Sequence, residues 1–241
     1  VTGVAGEQKN DIGRGRYVGT PINNIRTYVF DGIFQTDADA INSAQGSLGG
    51  TITPFQNVAT LLAGAIRLKD VNGDGRINDD DQVIFATDPK WFSSISTTVS
   101  YKSFDLLADL YFVEGTMKIN PYLSSFNEGG TLQSVRNGIK VDYWTPENPS
   151  NTFPRPNYSA APANVSSLGL RESSYVRLRT LSLGYNMQNS LLDKMKLSGL
   201  RVYITASNLF TITDYKSYSP ENNPNQFPDT KSFTFGLNIG L

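Results

Sequence analysis

Lys231-Ser232-Phe233-Thr234-Phe235-Gly236-Leu237-Asn238-Ile239-Gly240-Leu241 alternates without a break. Phe233, Phe235, Leu237, Ile239 and Leu241 share one parity, and Ser232, Thr234, Gly236, Asn238 and Gly240 share the other. A period of two places successive side chains on opposite faces of a β-strand, so the segment predicts a strand with one apolar and one polar face. Bulky apolar groups running to the last residue suit a strand whose outer face meets lipid, which is how an outer-membrane barrel ends. A soluble sandwich can also end in such a strand, so the rest of the chain has to separate the two.

Working back from there, residues 91–112 carry the clearest hairpin. Trp91, Ile95, Val99 and Tyr101 share a parity with Ser93 and Thr97, Lys102-Ser103 makes a tight turn, and Phe104, Leu106, Ala108, Leu110 and Phe112 line one face of the return strand. Asp105, Asp109 and Tyr111 lie on its opposite face. Strands of about ten residues joined by a tight turn match the spans and short periplasmic turns of membrane barrels.

With that turn in the periplasm, the Gly-, Pro-, Ser- and Asn-rich stretch 113–173 falls outside the cell, where barrels keep their long loops. The strand at 174–187, with Leu181, Leu183 and Tyr185 on one face, returns inward. Arg177 and Arg179 continue that parity, so its upper end either rises above the lipid or contains a bulge. Residues 189–198 read as a longer turn with a short helical segment, 199–211 as an outward strand, 213–230 as an extracellular loop, and 231–241 as the strand that ends in the periplasm.

The fold class expected is all-β: the C-terminal strands of a large antiparallel transmembrane barrel, at about 91–101, 104–112, 174–187, 199–211 and 231–241. Residues 1–90 form an extracellular loop region and residues 91–241 the barrel strands with their loops. Five strands cannot close a barrel, and an open edge in lipid leaves backbone groups unsatisfied at several kcal/mol each. The expectation is therefore a piece completed by other strands, with Val1 at a break on the extracellular side where a protease can reach it.

Composition narrows the chemistry. Cysteine and histidine are absent, which removes thiol nucleophiles, disulfides, imidazole catalysis and ordinary zinc sites, so a metal site would have to be built from oxygen. A net charge of −1 and the lack of a basic stripe argue against nucleic acid. No run is long and apolar enough for a transmembrane helix. Asp105 and Asp109 could suggest acid–base work, but the inward face of a barrel strand is polar in any case, and the chain reads as no enzyme.

The sharpest motif is Asp70-Val71-Asn72-Gly73-Asp74-Gly75-Arg76-Ile77-Asn78-Asp79-Asp80-Asp81. Oxygens of Asp70, Asn72 and Asp74, the Arg76 carbonyl, Asn78 through water and Asp81 can surround one Ca2+, and Gly75 permits the bend. The pattern has Asp where a helix-loop-helix site normally has a bidentate Glu, and no amphipathic helix precedes it. The other reading is a solvated Asp/Asn/Gly turn. Tyr143, Trp144, Phe153 and Tyr158 could stack on substrate or touch a lid, or could pack a long loop on itself. Arg177 and Arg179 could hold anions or pair with neighbouring carboxylates.

Several strings carry a resemblance. Asp31-Gly32-Ile33-Phe34-Gln35-Thr36, the 70–81 loop, Tyr143-Trp144-Thr145-Pro146-Glu147-Asn148-Pro149, Ser174-Tyr175-Val176-Arg177-Leu178-Arg179, and Leu200-Arg201-Val202-Tyr203 with Asn208-Leu209-Phe210 occur in this order. Together they resemble the C-terminal quarter of SusC/RagA-family TonB-dependent transporters, outer-membrane nutrient importers of Bacteroidetes. The resemblance implies a plugged barrel of about twenty-two strands. It also implies an N-terminal remainder with the plug and the TonB contact, a SusD-like surface lipoprotein as partner, and oligosaccharides or peptides as cargo. Members usually end in Phe, whereas this chain ends in Leu241. The alternative from another class is a soluble calcium-dependent carbohydrate-binding β-sandwich, which leaves the lipid-like faces at 104–112 and 233–241 unexplained.

Overall fold

The structure, a computed structural model, describes residues 10–45, 62–121, 123, 142–155, 164–222 and 226–241. In chain order its elements are β1 (Asn24–Thr27), β2 (Phe30–Ile33), α1 (Asp37–Asn42), β3 (Ile66–Leu68), β4 (Val83–Ala86), β5 (Trp91–Tyr101), β6 (Phe104–Glu114) and β7 (Met117–Ile119). They continue with α2 (Val165–Gly169), β8 (Leu170–Glu172), β9 (Tyr175–Asn186), α3 (Asn189–Met195), β10 (Gly199–Ile212) and β11 (Ser232–Gly240). Two compact units emerge: Val1–Asp88 with Met117–Arg171, and Pro89–Thr116 with Glu172–Leu241.

The second unit is a five-stranded sheet in the order β5-β6-β9-β10-β11, every neighbouring pair antiparallel. β5 and β6 form an unbroken hairpin from Trp91↔Glu114 to Tyr101↔Phe104, turning at Lys102-Ser103 with Lys102 in the left-handed region at φ 54°. β-branched and aromatic residues alternate with Ser, Thr and Asp along these strands, the pattern of a pleated surface whose faces meet different media.

The pairing carries one apolar face across the sheet. Val99↔Leu106, Leu106↔Leu183, Leu183↔Ile204 and Ile204↔Phe235 run side by side through all five strands. This face is open: Phe235 is 78% and Leu237 62% exposed, with Ile95, Val99 and Phe104 over half exposed. At about 2 kcal/mol per large apolar side chain, covering such a face is worth as much as the whole net stability of an ordinary domain, about 5–15 kcal/mol, so the face calls for an apolar medium or a partner surface. A soluble sandwich would divide such strands between two packed sheets, whereas β5, β6, β9, β10 and β11 form one continuous sheet.

Two irregularities settle the open question at the upper end of β9. Pairing with β6 shifts between Asp109 and Leu110, which makes Arg179 the extra residue, and pairing with β10 shifts between Ser207 and Phe210, where Asn208 adopts φ 52°. Beyond these bulges Leu178 sits beside Leu110 and Phe210 on the apolar face, and Arg177 beside Tyr111 and Thr211 on the polar one. A bulge, which re-aims side chains by adding one residue, therefore accounts for the two arginines.

Among its described residues the first unit contains three two-stranded sheets, β1-β4, β2-β3 and β7-β8. Its core joins Ile33, Ile66, Leu68 and Ile77 with Trp144 and Leu168. Trp144 and Leu168 cluster with residues of the first 88 because the apolar side chains of β2 and β3 bury against them.

Candidate functional site

The polar face of the sheet is built from the residues that alternate with the apolar ones. Near the Lys102 turn it is closed by its own partners. Arg201 donates from Nε to Asp105 Oδ1 at 3.1 Å and from Nη2 to Oδ2 at 2.6 Å, and Asn186 Nδ2 donates to Oδ1 at 3.0 Å. This two-pronged pair needs Gly184, since a Cβ there would lie 2.5 Å from the guanidinium and 2.6 Å from the carboxylate. Arg201 also stacks on Tyr203, 4.9 Å from the ring centroid, and the Tyr203 ring lies across Gly236 on the neighbouring strand. Glycine inside a strand marks such a close approach. Gly236→Val is expected to displace Tyr203 and weaken the β10–β11 pairing by about 1–3 kcal/mol, as overpacking does. A lowered heat-modification temperature on gels checks this, and a variant indistinguishable from wild type refutes it.

Further from the turn the face becomes aromatic and cationic. Phe92, Tyr111 and Tyr175 form a row with centroids 6.5 and 6.2 Å apart. Arg179 lies 3.3 Å from the Tyr111 centroid and Arg177 5.0 Å from that of Tyr175. Arg177 is buried and neutralised, donating from Nη1 to Glu221 at 2.7 Å, from Nη2 to Asp229 at 2.6 Å and from Nε to Thr211 Oγ1 at 3.0 Å. Ser219 and Asn222 also donate to Asp229, so the 213–230 loop is fastened to the sheet through this arginine. Tyr215 is buried in the same loop, and burial pushes its phenol above the ordinary value. Of the two arginines, one meets carboxylates and the other an aromatic ring.

The 70–81 loop folds as a tight turn in the first unit, with Gly73 and Gly75 at φ 74° and 78°. Asp70 accepts from the amides of Gly73 at 2.7 Å and Gly75 at 2.8 Å, Asn72 from that of Asp74 at 2.9 Å, and Asp74 from that of Arg76 at 2.8 Å. Ile77 anchors the loop in the core. Asp81 is fully buried and takes the amides of Val71 at 2.9 Å and Asn78 at 2.8 Å, while Asn78 caps Asp80. Asp70, Asn72 and Asp74 therefore share one turn, whereas Asp81 ties its two ends. Among the described residues no three acidic side chains converge closely enough to form a metal cluster. The donors are nonetheless all hard oxygens, and each carboxylate oxygen holding one amide retains a second lone pair.

Of the loop aromatics, Trp144 is a core residue. It is buried, and its indole N–H donates to Gln35 Oε1 at 3.0 Å, which removes it from the surface available to a ligand. Tyr143 and Phe153 are half-buried and bridge each other, Phe153 packing on the same core. Tyr158 lies outside the described residues. Sequence reasoning missed the Arg201–Asp105 pair and the Tyr203–Gly236 contact, although a glycine at a polar-face position of an alternating strand was the available signal.

The fold and the two-faced sheet define the class: an all-β segment of the antiparallel transmembrane-barrel type. TonB-dependent receptor P3 of Formosa agariphila is 27% identical over 238 residues, 92% of this chain and 22% of the receptor. TonB-dependent receptor P26 of the same organism is 29% identical over 74% of this chain and 20% of its own length. The chain thus spans about a fifth of the curated relatives it matches. The structure of the RagAB peptide transporter superposes over 93% of this chain and 23% of that one, with a TM-score of 0.66 at 22% identity, a likeness of fold. No family model matches. The chain is thus similar over most of its length to a part of these TonB-dependent receptors, and it shares its fold with the corresponding part of RagAB.

Proposed function

We propose that this chain forms part of the wall of an outer-membrane importer that moves oligosaccharides or peptides inward with energy supplied through TonB. The observation that carries the reading is the sheet with one continuous apolar face and one polar face, folded as in RagAB. In this reading the apolar face meets lipid, the polar face lines the lumen, and the Lys102 turn and Leu241 are periplasmic. The loops at the other strand ends face outward, toward a SusD-like surface lipoprotein. The remainder of a barrel of about twenty-two strands, with its plug, completes the pore. The described side chains bind and position; no step of covalent chemistry is assigned to them.

The importer reading is tested on the full-length protein purified from outer membranes. Co-purification with a surface lipoprotein is expected, as is loss of growth on an oligosaccharide or peptide source when the gene or TonB function is removed. A protein that is soluble without detergent, or growth unchanged on every such source, overturns it.

We infer in addition that the 70–81 loop takes Ca2+, held by Asp70, Asn72, Asp74 and the Arg76 carbonyl, with Asn78 and Asp81 completing the shell. The support is the all-oxygen donor set on a turn already formed around its glycines. Calcium at a hundredfold over its Kd should stabilise the loop by about 2.7 kcal/mol, since it binds only the folded form. Calorimetric titration after chelator treatment checks this: saturable heat lost in Asp70→Ala and Asp74→Ala is expected, and no heat in the wild type refutes it.

A further inference from the structure

We propose that Arg179, laid on the ring of Tyr111, is a carboxylate-binding step for oligomers passing along the polar face of the sheet. The inference rests on the importer reading. Tyr111 lies near the end of β6 opposite the Lys102 turn, so the pair sits toward the mouth of the strands. The bulge inserts Arg179 as an extra residue and lays its guanidinium on the polar side, 3.3 Å from the Tyr111 centroid. The other charged groups of this face have partners of their own, ion pairs for the arginines and a serine hydroxyl for Asp109. Arg177 is spent on Glu221 and Asp229, Arg201 on Asp105, and Asp109 accepts from Ser94 at 2.8 Å. Arg179 forms no ion pair among the described residues.

A guanidinium stacked on a ring keeps its N–H edge free, and that edge matches the two oxygens of a carboxylate. Phe92, 67% exposed and 6.5 Å from Tyr111, extends the apolar platform of the ring that carries the cation. The chemistry selected is a carboxylate next to a flat or apolar unit, as an acidic peptide or an acidic sugar oligomer presents. Binding a plug carboxylate is the competing use of the same group.

The test compares wild type, Arg179→Gln and Arg179→Lys in the full-length protein. The probes are tetraglutamate and tetragalacturonate as carboxylate oligomers, with tetraglycine amide and maltotetraose as neutral ones. Wild type should bind at least one carboxylate probe, and which one separates peptide from sugar. Arg179→Gln should weaken that binding about tenfold, the loss of one charge-assisted contact, while neutral probes are unaffected. Arg179→Lys should recover part of it. Absence of carboxylate binding in wild type, or an equal loss for neutral probes, overturns the proposal and leaves the importer reading standing. Raised ion conductance of Arg179→Gln in planar bilayers assigns the residue to the plug and overturns it too. Absence of the protein from the outer membrane is the result that removes the importer reading itself.

Discussion

Replacing Trp144 with alanine should lower the stability of the first unit by about 4 kcal/mol, the range of a large aromatic removed from a core. The side chain is buried among Ile33, Ile66, Leu68, Ile77 and Leu168, and Gly64 at φ 83° lies so close that a Cβ there would be 2.5 Å from the indole. Alanine leaves a cavity that these neighbours can only partly fill. It also strips Gln35 Oε1 of its donor. Hydrogen exchange should show the loss in β2 and β3, with the protection of β5, β6, β9, β10 and β11 unchanged. A change below about 1 kcal/mol would mean that Trp144 contributes as a surface side chain does, and would return it to the candidates for ligand contact.

Arg177→Met should cost about 3 kcal/mol, at the lower end of what removing one partner of a buried ion pair costs. The two carboxylates differ in exposure. Asp229 is 22% exposed and would be left substantially desolvated, whereas Glu221 at 44% can turn to water and adds less. The loss is local: the 213–230 loop loses its fastening to β9, while the strand keeps its ladder. Faster exchange of the amides at 213–222 and 226–230, with the β9 and β10 amides unaffected, is the expected pattern. A variant whose loop exchanges at the wild-type rate would show that the Thr213 bond to the Ser174 carbonyl and the Asn208 bond to the Thr230 carbonyl hold the loop without the arginine.

The sheet was legible in the sequence because period-two alternation is a local signal, repeated in every strand and reinforced by a tight turn at Lys102-Ser103. The bulge at Arg179 was detectable only as a conflict, two arginines at the parity of Leu181 and Leu183. A single strand cannot say where the extra residue goes, because that depends on its partners. The first unit was the least legible. Its core joins side chains as distant as Ile33 and Leu168, and its short strands are too brief to carry a period. The polar contacts of the site were hidden for a related reason: Asp105 meets Arg201, 96 residues away, only through strand order.

The central claim, that the sheet separates lipid from a polar lumen, is tested most directly on β11. The chain has no cysteine, so single cysteines placed in it are unique within this chain. In full-length protein reconstituted in bilayers, environment-sensitive labels at Phe235→Cys and Leu237→Cys should be quenched by nitroxide-bearing lipids. Labels at Thr234→Cys and Asn238→Cys should not be. Quenching that alternates with a period of two is the expected result; labels equally shielded from lipid at all of these positions would contradict it.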